Sequence, residues 1–165
     1  MRKGRRLCVD VGDARVGLAR SDPDGILATP VETIARKGTE DAAVATQIAR
    51  IAADDGAIEI VVGLPSHLSG ARGAAAAKAT AFAESLAKRW DGSVRLVDER
   101  LSTVEAKSRL RTVGRSEREG RAVIDQVAAV LILQAALDLE RATGRPPGEA
   151  LGYSAGACPH EGVDE

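Results

Sequence analysis

Apolar residues come first in short strand-length runs and later in longer groups at helical spacing. Residues 7–11 form an apolar run broken only by Asp10, which predicts a first strand, and residues 16–21 predict a second. The turn between them carries Gly12 and Asp13. Residues 26–34 are mostly extended but contain Pro30, which suits an edge or irregular strand, so the opening reads as a three-stranded meander. Thr39 is the expected N-cap of a helix with Ala43, Ile48, Ile51 and Ala52 on its apolar face, ending at Asp54-Asp55-Gly56. Residues 58–64 are nearly all apolar, as expected of a strand covered on both faces, and Pro65 ends them. A loop then leads into an alanine-rich helix reaching about Trp90, and residues 94–97 give the last strand.

Thr103 is expected to cap a short helix over residues 104–110, followed by an arginine-rich polar loop over 111–121. A long apolar helix is expected from about Ala122 to Ala142. From Gly144 onward the composition turns to Gly, Pro and acidic residues. The expectation is one domain over residues 1–143 and a flexible tail over 144–165. The order β-β-β-α-β-α-β-α-α predicts an α/β fold: a ribonuclease H-like mixed sheet flanked by helices on both faces.

Three carboxylates fall where solubility does not call for them. Asp10 interrupts the first strand, Glu99 follows Asp98 at the end of the last, and Asp125 lies within the long apolar helix. A buried carboxylate needs a cation, a metal or hydrogen-bond donors. Three brought together would repel one another and attract a hard divalent cation, an arrangement suited to phosphodiester hydrolysis. Each also has a plainer reading. Asp10 can cap the turn at Gly12, the Asp98-Glu99 pair can be a polar strand terminus, and Asp125 can face solvent beside Gln126. Strand alternation lets only one of Asp98 and Glu99 face the Asp10 side, and the sequence does not choose between them.

Bulk properties narrow the classes. The chain has 165 residues, enough for a sizeable core, and its net charge of −1 gives no global drive toward nucleic acid. One Trp, one Tyr and one Phe exclude an aromatic base-stacking platform. Cys8 and Cys158 form no metal-ligand spacing and are expected to be reduced, while His67 and His160 lack partners for a zinc site. The basic start from Met1 to Arg6 is followed by Asp10, Asp13 and Arg15 where an apolar segment would be needed, so no signal peptide is expected, and no run is long and apolar enough to span a membrane. A cytoplasmic protein is expected.

The segment from Gly12 to Gly17 mimics a phosphate loop but lacks the following Lys-Ser/Thr. Half an actin-like ATPase is excluded because one domain of this size cannot form a two-lobed cleft. Arg15 and Arg100, each close to a candidate carboxylate, could neutralise the site or contact phosphates. Arg109, Arg111, Arg115, Arg118 and Arg121 read either as a basic patch or as a solvated loop interleaved with Glu117 and Glu119.

Several motifs, in order, resemble one family. Val9-Asp10-Val11-Gly12-Asp13-Ala14-Arg15-Val16-Gly17 is similar to the opening motif of the YqgF/RuvX family, the Holliday-junction-resolvase-like pre-16S rRNA nucleases of bacteria. The similarity continues through Val61-Val62-Gly63-Leu64-Pro65, Ala81-Phe82-Ala83-Glu84 and Val97-Asp98-Glu99-Arg100-Leu101-Ser102-Thr103. It closes with Asp125-Gln126-Val127-Ala128-Ala129, so that it spans about residues 6–140. The resemblance implies a metal-dependent endonuclease that processes the 5′ end of precursor 16S rRNA, with Asp10, Glu99 and Asp125 holding Mg²⁺ or Mn²⁺. It implies that Arg15, Arg100, Ser102 and Thr103 contact nucleic acid. The strand ending at Pro65 has no acidic residue where junction resolvases carry one, so the third ligand must come from the Asp98-Glu99 strand. The alternatives are a Holliday junction resolvase, which requires a homodimer, and a non-catalytic nucleic-acid-binding module of ribosome assembly.

Overall fold

The computed structural model describes residues 1–36, 38, 40–65, 70–101 and 117–151, with the backbone alone over 70–72 and 117–125. Six strands form one sheet: β1 (Arg6–Val11), β2 (Arg15–Ser21), β3 (Ala28–Ala35), β4 (Glu59–Leu64), β5 (Ser93–Asp98) and β6 (Glu149–Ala150). Their order across the sheet is β3-β2-β1-β4-β5-β6. The helices are α1 (Asp41–Asp54), α2 (Gly70–Arg89) and α3 (Glu117–Thr143), with a 3-10 turn over Glu99–Leu101 after β5.

The meander is present. β1 pairs antiparallel with β2, and β2 with β3. β3 is the edge strand that Pro30 implied, and the register slips between Gly17 and Ala19 where Pro30 sits opposite. β4 pairs in parallel with β1 after the chain has passed through β2, β3 and α1, and β5 pairs in parallel with β4 through the α2 crossover. The near-continuous apolar β4 is explained by its two covered faces. On one face, Leu7, Val9, Leu18, Ile60, Val62 and Val94 pack with α1 and α2 around Phe82 and Ile48. On the other, Cys8, Ala19, Val61 and Val97 pack under Ala129, Ile132, Leu133 and Leu137 of α3.

Some boundaries differ from expectation. Helix α1 starts at Asp41 with Glu40 at the N-cap position and no side-chain cap, while Thr39 lies outside the described residues. Asp41 provides first-turn negative charge, and Arg36 grips it from the end of β3 with Nε–Oδ1 at 2.8 Å and Nη2–Oδ2 at 2.9 Å. Helix α3 begins at Glu117, taking in part of the expected polar loop. Glu117 and Glu119 suit the positive end of a helix dipole. Past α3, Glu149–Ala150 add a sixth strand along β5 and Leu151 packs against the core, in a stretch whose composition read as tail. The amide of Leu151 bonds the Val94 carbonyl at 2.9 Å. The expected helix over 104–110 and the residues from 152 on lie outside the described residues.

Candidate active site at the carboxyl end of the sheet

Alternation along β1 decides which face Asp10 occupies. Leu7 and Val9 belong to the core under α1 and α2, whereas Cys8 belongs to the core under α3. Asp10, two residues after Cys8, therefore stands on the α3 face and is half-buried. Its proximity is felt at Cys8: burial pushes that thiol well above its ordinary range, and the Asp10 charge adds to the shift. Cys8 is thus a neutral, fully enclosed core residue.

The same alternation separates Asp98 from Glu99. Val94 packs with the α1/α2 core and Val97 with the α3 core, so Asp98 falls on the α1/α2 side. Asp98 holds Arg100, with Oδ2–Nη2 at 2.7 Å and the Arg100 amide on Oδ1 at 2.8 Å. Glu99 follows at the first position of the 3-10 turn, half-buried, and that turn contacts α3.

Helix α3 runs antiparallel to β1: Gln126 meets Thr33 at the carboxyl end of β3, and Glu140 meets Arg6 at the amino end of β1. Asp125 precedes the buried Ala129 by four residues and Ile132 by seven, which puts its position on the sheet-facing stripe of the helix. Close approach of helix to sheet depends on Gly63, where a Cβ would lie 2.8 Å from Ile132 Cδ1. The Asp125 side chain is outside the described residues, and among the described residues no three His, Cys, Asp or Glu groups gather at one point.

Arg15 opens β2, half-buried, and alternation puts it on the α3 face with Gly17 and Ala19. Arg100 is exposed and engaged with Asp98 in a surface pair. Ser102, Thr103, His67, His160 and Cys158 lie outside the described residues, as do Arg109, Arg111 and Arg115 and the side chains of Arg118 and Arg121. Sequence reasoning missed Arg36. It holds the β1–β2 turn from behind, with Nη1 on the Gly12 carbonyl at 2.7 Å and its amide on the Ala14 carbonyl at 2.9 Å. Its guanidinium carbon lies 5.6 Å from the Phe82 ring centroid, within cation–π range. A cluster of charges at the far end of the sheet was also missed. Arg6, Glu59 and Glu140 are only 1%, 2% and 3% exposed. Arg2 and Arg6 reach Glu140, and Arg2 and Arg95 reach Glu59, at 2.9–3.2 Å.

A profile of the RuvX Holliday junction resolvase family matches residues 4–139. The chain belongs to this family. It is 55% identical over 152 residues to a Streptomyces coelicolor protein named "Putative pre-16S rRNA nuclease", covering 92% of this chain and 90% of that one. Relatives of the same name from Leifsonia xyli and Nocardioides are 56% and 57% identical, covering 92% of this chain and 96% and 98% of theirs. Among solved structures, Thermus thermophilus RuvC in complex with a Holliday junction substrate superposes with a TM-score of 0.60 at 10% identity, covering 90% of this chain and 99% of that one. The fold of this RuvX protein is accordingly ribonuclease H-like, and its family is one of nucleases. Among the described residues no helix is long and apolar enough to cross a membrane.

Proposed function

We propose that this RuvX protein is a divalent-metal-dependent endonuclease of the cytoplasm that trims the 5′ end of precursor 16S rRNA. The observation that carries the reading is convergence. The carboxyl end of β1 with Asp10, the turn headed by Glu99, and the stretch of α3 that includes Asp125 lie at one end of one sheet face. The name shared by relatives above 50% identity supplies the substrate.

The donor set of Asp10, Glu99 and Asp125 consists of carboxylate oxygens, which suits Mg²⁺ or Mn²⁺ rather than a thiolate-seeking ion. Such a cation, when bound, supplies acidified water and charge neutralisation at the phosphate. The chain's own residues would do the rest. Asp10 stands on a strand, Glu99 on a turn and the Asp125 position on a helix, so the three would be held by different parts of the core. Arg15, on the same face as Asp10, would orient a substrate phosphate. Arg100 would do so by exchanging Asp98 for phosphate, which costs little because exposed pairs are weak. Ser102 and Thr103 would donate hydrogen bonds beside Glu99.

The family's description and the RuvC-like fold favour a second reading, cleavage of four-way DNA junctions by a homodimer. A single assay tests both. A labelled precursor 16S 5′ leader and a four-way junction are incubated with Mg²⁺, Mn²⁺ or EDTA, beside Asp10→Asn and Asp125→Asn proteins. Metal-dependent cutting of the RNA, lost in both variants, is the expected result. Symmetric cutting of the junction alone would move the activity to recombination, and binding of either substrate without cutting would leave an assembly module.

A further inference from the structure

Helix α3 seats on the sheet through Ala129, Ile132, Leu133, Ala136 and Leu137, with Ile132 against the side-chain-free Gly63. Directional polar contacts to β3 add to this apolar packing. Gln134 Nε2 donates to the Ile26 carbonyl at 2.9 Å, and its Oε1 accepts from the Ala28 amide at 2.9 Å. Eight residues earlier, about 12 Å along the helix, Gln126 Nε2 donates to Thr33 Oγ1 at 3.1 Å. Both glutamines therefore grip β3, one at each end.

Thr33 is not an arbitrary anchor. It pairs with Gly17 across β2–β3, and Gly17 pairs with Asp10 across β1–β2. Gln126 thus ties α3 to the same cross-sheet row that holds Asp10, at the residue directly after Asp125. We propose that Gln126, through Thr33, is a positioning residue that fixes the rotation of α3 at its site end and so sets the affinity of the carboxylate site for its divalent cation. This rests on the reading of Asp10, Glu99 and Asp125 as cation ligands. Gln134 fixes the helix far from the site and serves as the internal comparison.

The test measures Mn²⁺ binding to substrate-free protein by calorimetry, with the thermal midpoint recorded beside it. Gln126→Met keeps length and helix propensity, and Thr33→Val keeps shape. Each is expected to weaken Mn²⁺ binding by roughly 10-fold, the lower end of what supporting contacts to metal ligands contribute. Adding Gln126→Met to Thr33→Val should weaken binding no further, because the bond between the two residues is already gone. Gln134→Met should lower the thermal midpoint while leaving Mn²⁺ affinity unchanged. Mn²⁺ affinity within twofold of wild type in Gln126→Met, with binding abolished in Asp10→Asn, would overturn the inference while leaving the metal site standing. Wild-type Mn²⁺ binding by Asp10→Asn would remove the metal site, and the inference with it.

Discussion

At the amino end of β1, Glu59 and Glu140 are buried among Arg2, Arg6 and Arg95; at its carboxyl end, Asp10 and Glu99 are half-buried. Both ends lie on the sheet face under α3, and the same strand and helix serve both: β1 carries Arg6 and Asp10, and α3 carries Asp125 and Glu140. At the first end both carboxylates are answered by arginines of the chain and are closed off from water. Such a cluster fixes register but has no room for a ligand. At the second end Asp10 and Glu99 stay within reach of solvent, and the candidate ligand positions belong to three separate elements. A carboxylate in an apolar run therefore marks either a structural ion pair or a candidate chemical site, and its access to solvent separates the two.

Breaking the two ends should produce opposite signatures. The largest effect is expected from Asp10→Asn. Loss of a ligand to a catalytic cation removes several kcal/mol of transition-state stabilisation, a fall in cleavage rate of about 100-fold or more, with little change in thermal stability. Rate assays and thermal melts on the same preparation check it.

Glu140→Ala should do the reverse. It strands Arg6, 1% exposed, without its carboxylate partner. Removal of one member of a buried pair costs about 3–5 kcal/mol, measurable by urea denaturation. The rate per folded molecule should hold if the two ends are independent.

Gly63→Ala probes the contact between them. A Cβ there would lie 2.8 Å from Ile132 Cδ1, the flexible tip of a side chain. About 1–3 kcal/mol of destabilisation is expected from overpacking, with partial recovery when Ile132→Val is added.

The smallest effect is in pH. Burial alone would raise the Glu140 pKa, but hydrogen bonds from Arg2 and the charges of Arg2 and Arg6 outweigh it and hold the folded-state value below the ordinary 4.5. A carboxylate with a lowered folded pKa contributes stability that is fully present above its unfolded value and is lost as pH falls through the folded one. The stability gap between wild type and Glu140→Gln should be widest above pH 4.5 and should narrow below it. Denaturation curves taken from neutral to acid pH measure the gap directly.

Much of this was legible in the sequence because periodicity reports burial. The meander, the edge position of β3 and the two-sided burial of β4 followed from Pro30 and the apolar runs. Asp10 on the α3 face follows from counting by two from Cys8, once Cys8 is known to face α3. The charge cluster is hidden because its members come from distant parts of the chain. Glu59 interrupts an apolar strand as Asp10 does, yet that strand read as nearly all apolar. Its partners Arg2 and Arg6 read as a loose basic start, because nothing local shows that they fold back onto the end of α3, 134 or more residues away. Arg36 was missed for a similar reason, since its partners are two backbone carbonyls and the Asp41 side chain. Strand β6 was hidden because two residues carry no periodicity.

The most direct test of the central claim is a crystal structure of the protein soaked in Mn²⁺, with anomalous data collected at the manganese edge. A peak bounded by carboxylate oxygens of Asp10, Glu99 and Asp125 is expected, with none near Glu59 and Glu140. A peak elsewhere, or saturating Mn²⁺ with no peak at Asp10, would contradict the claim.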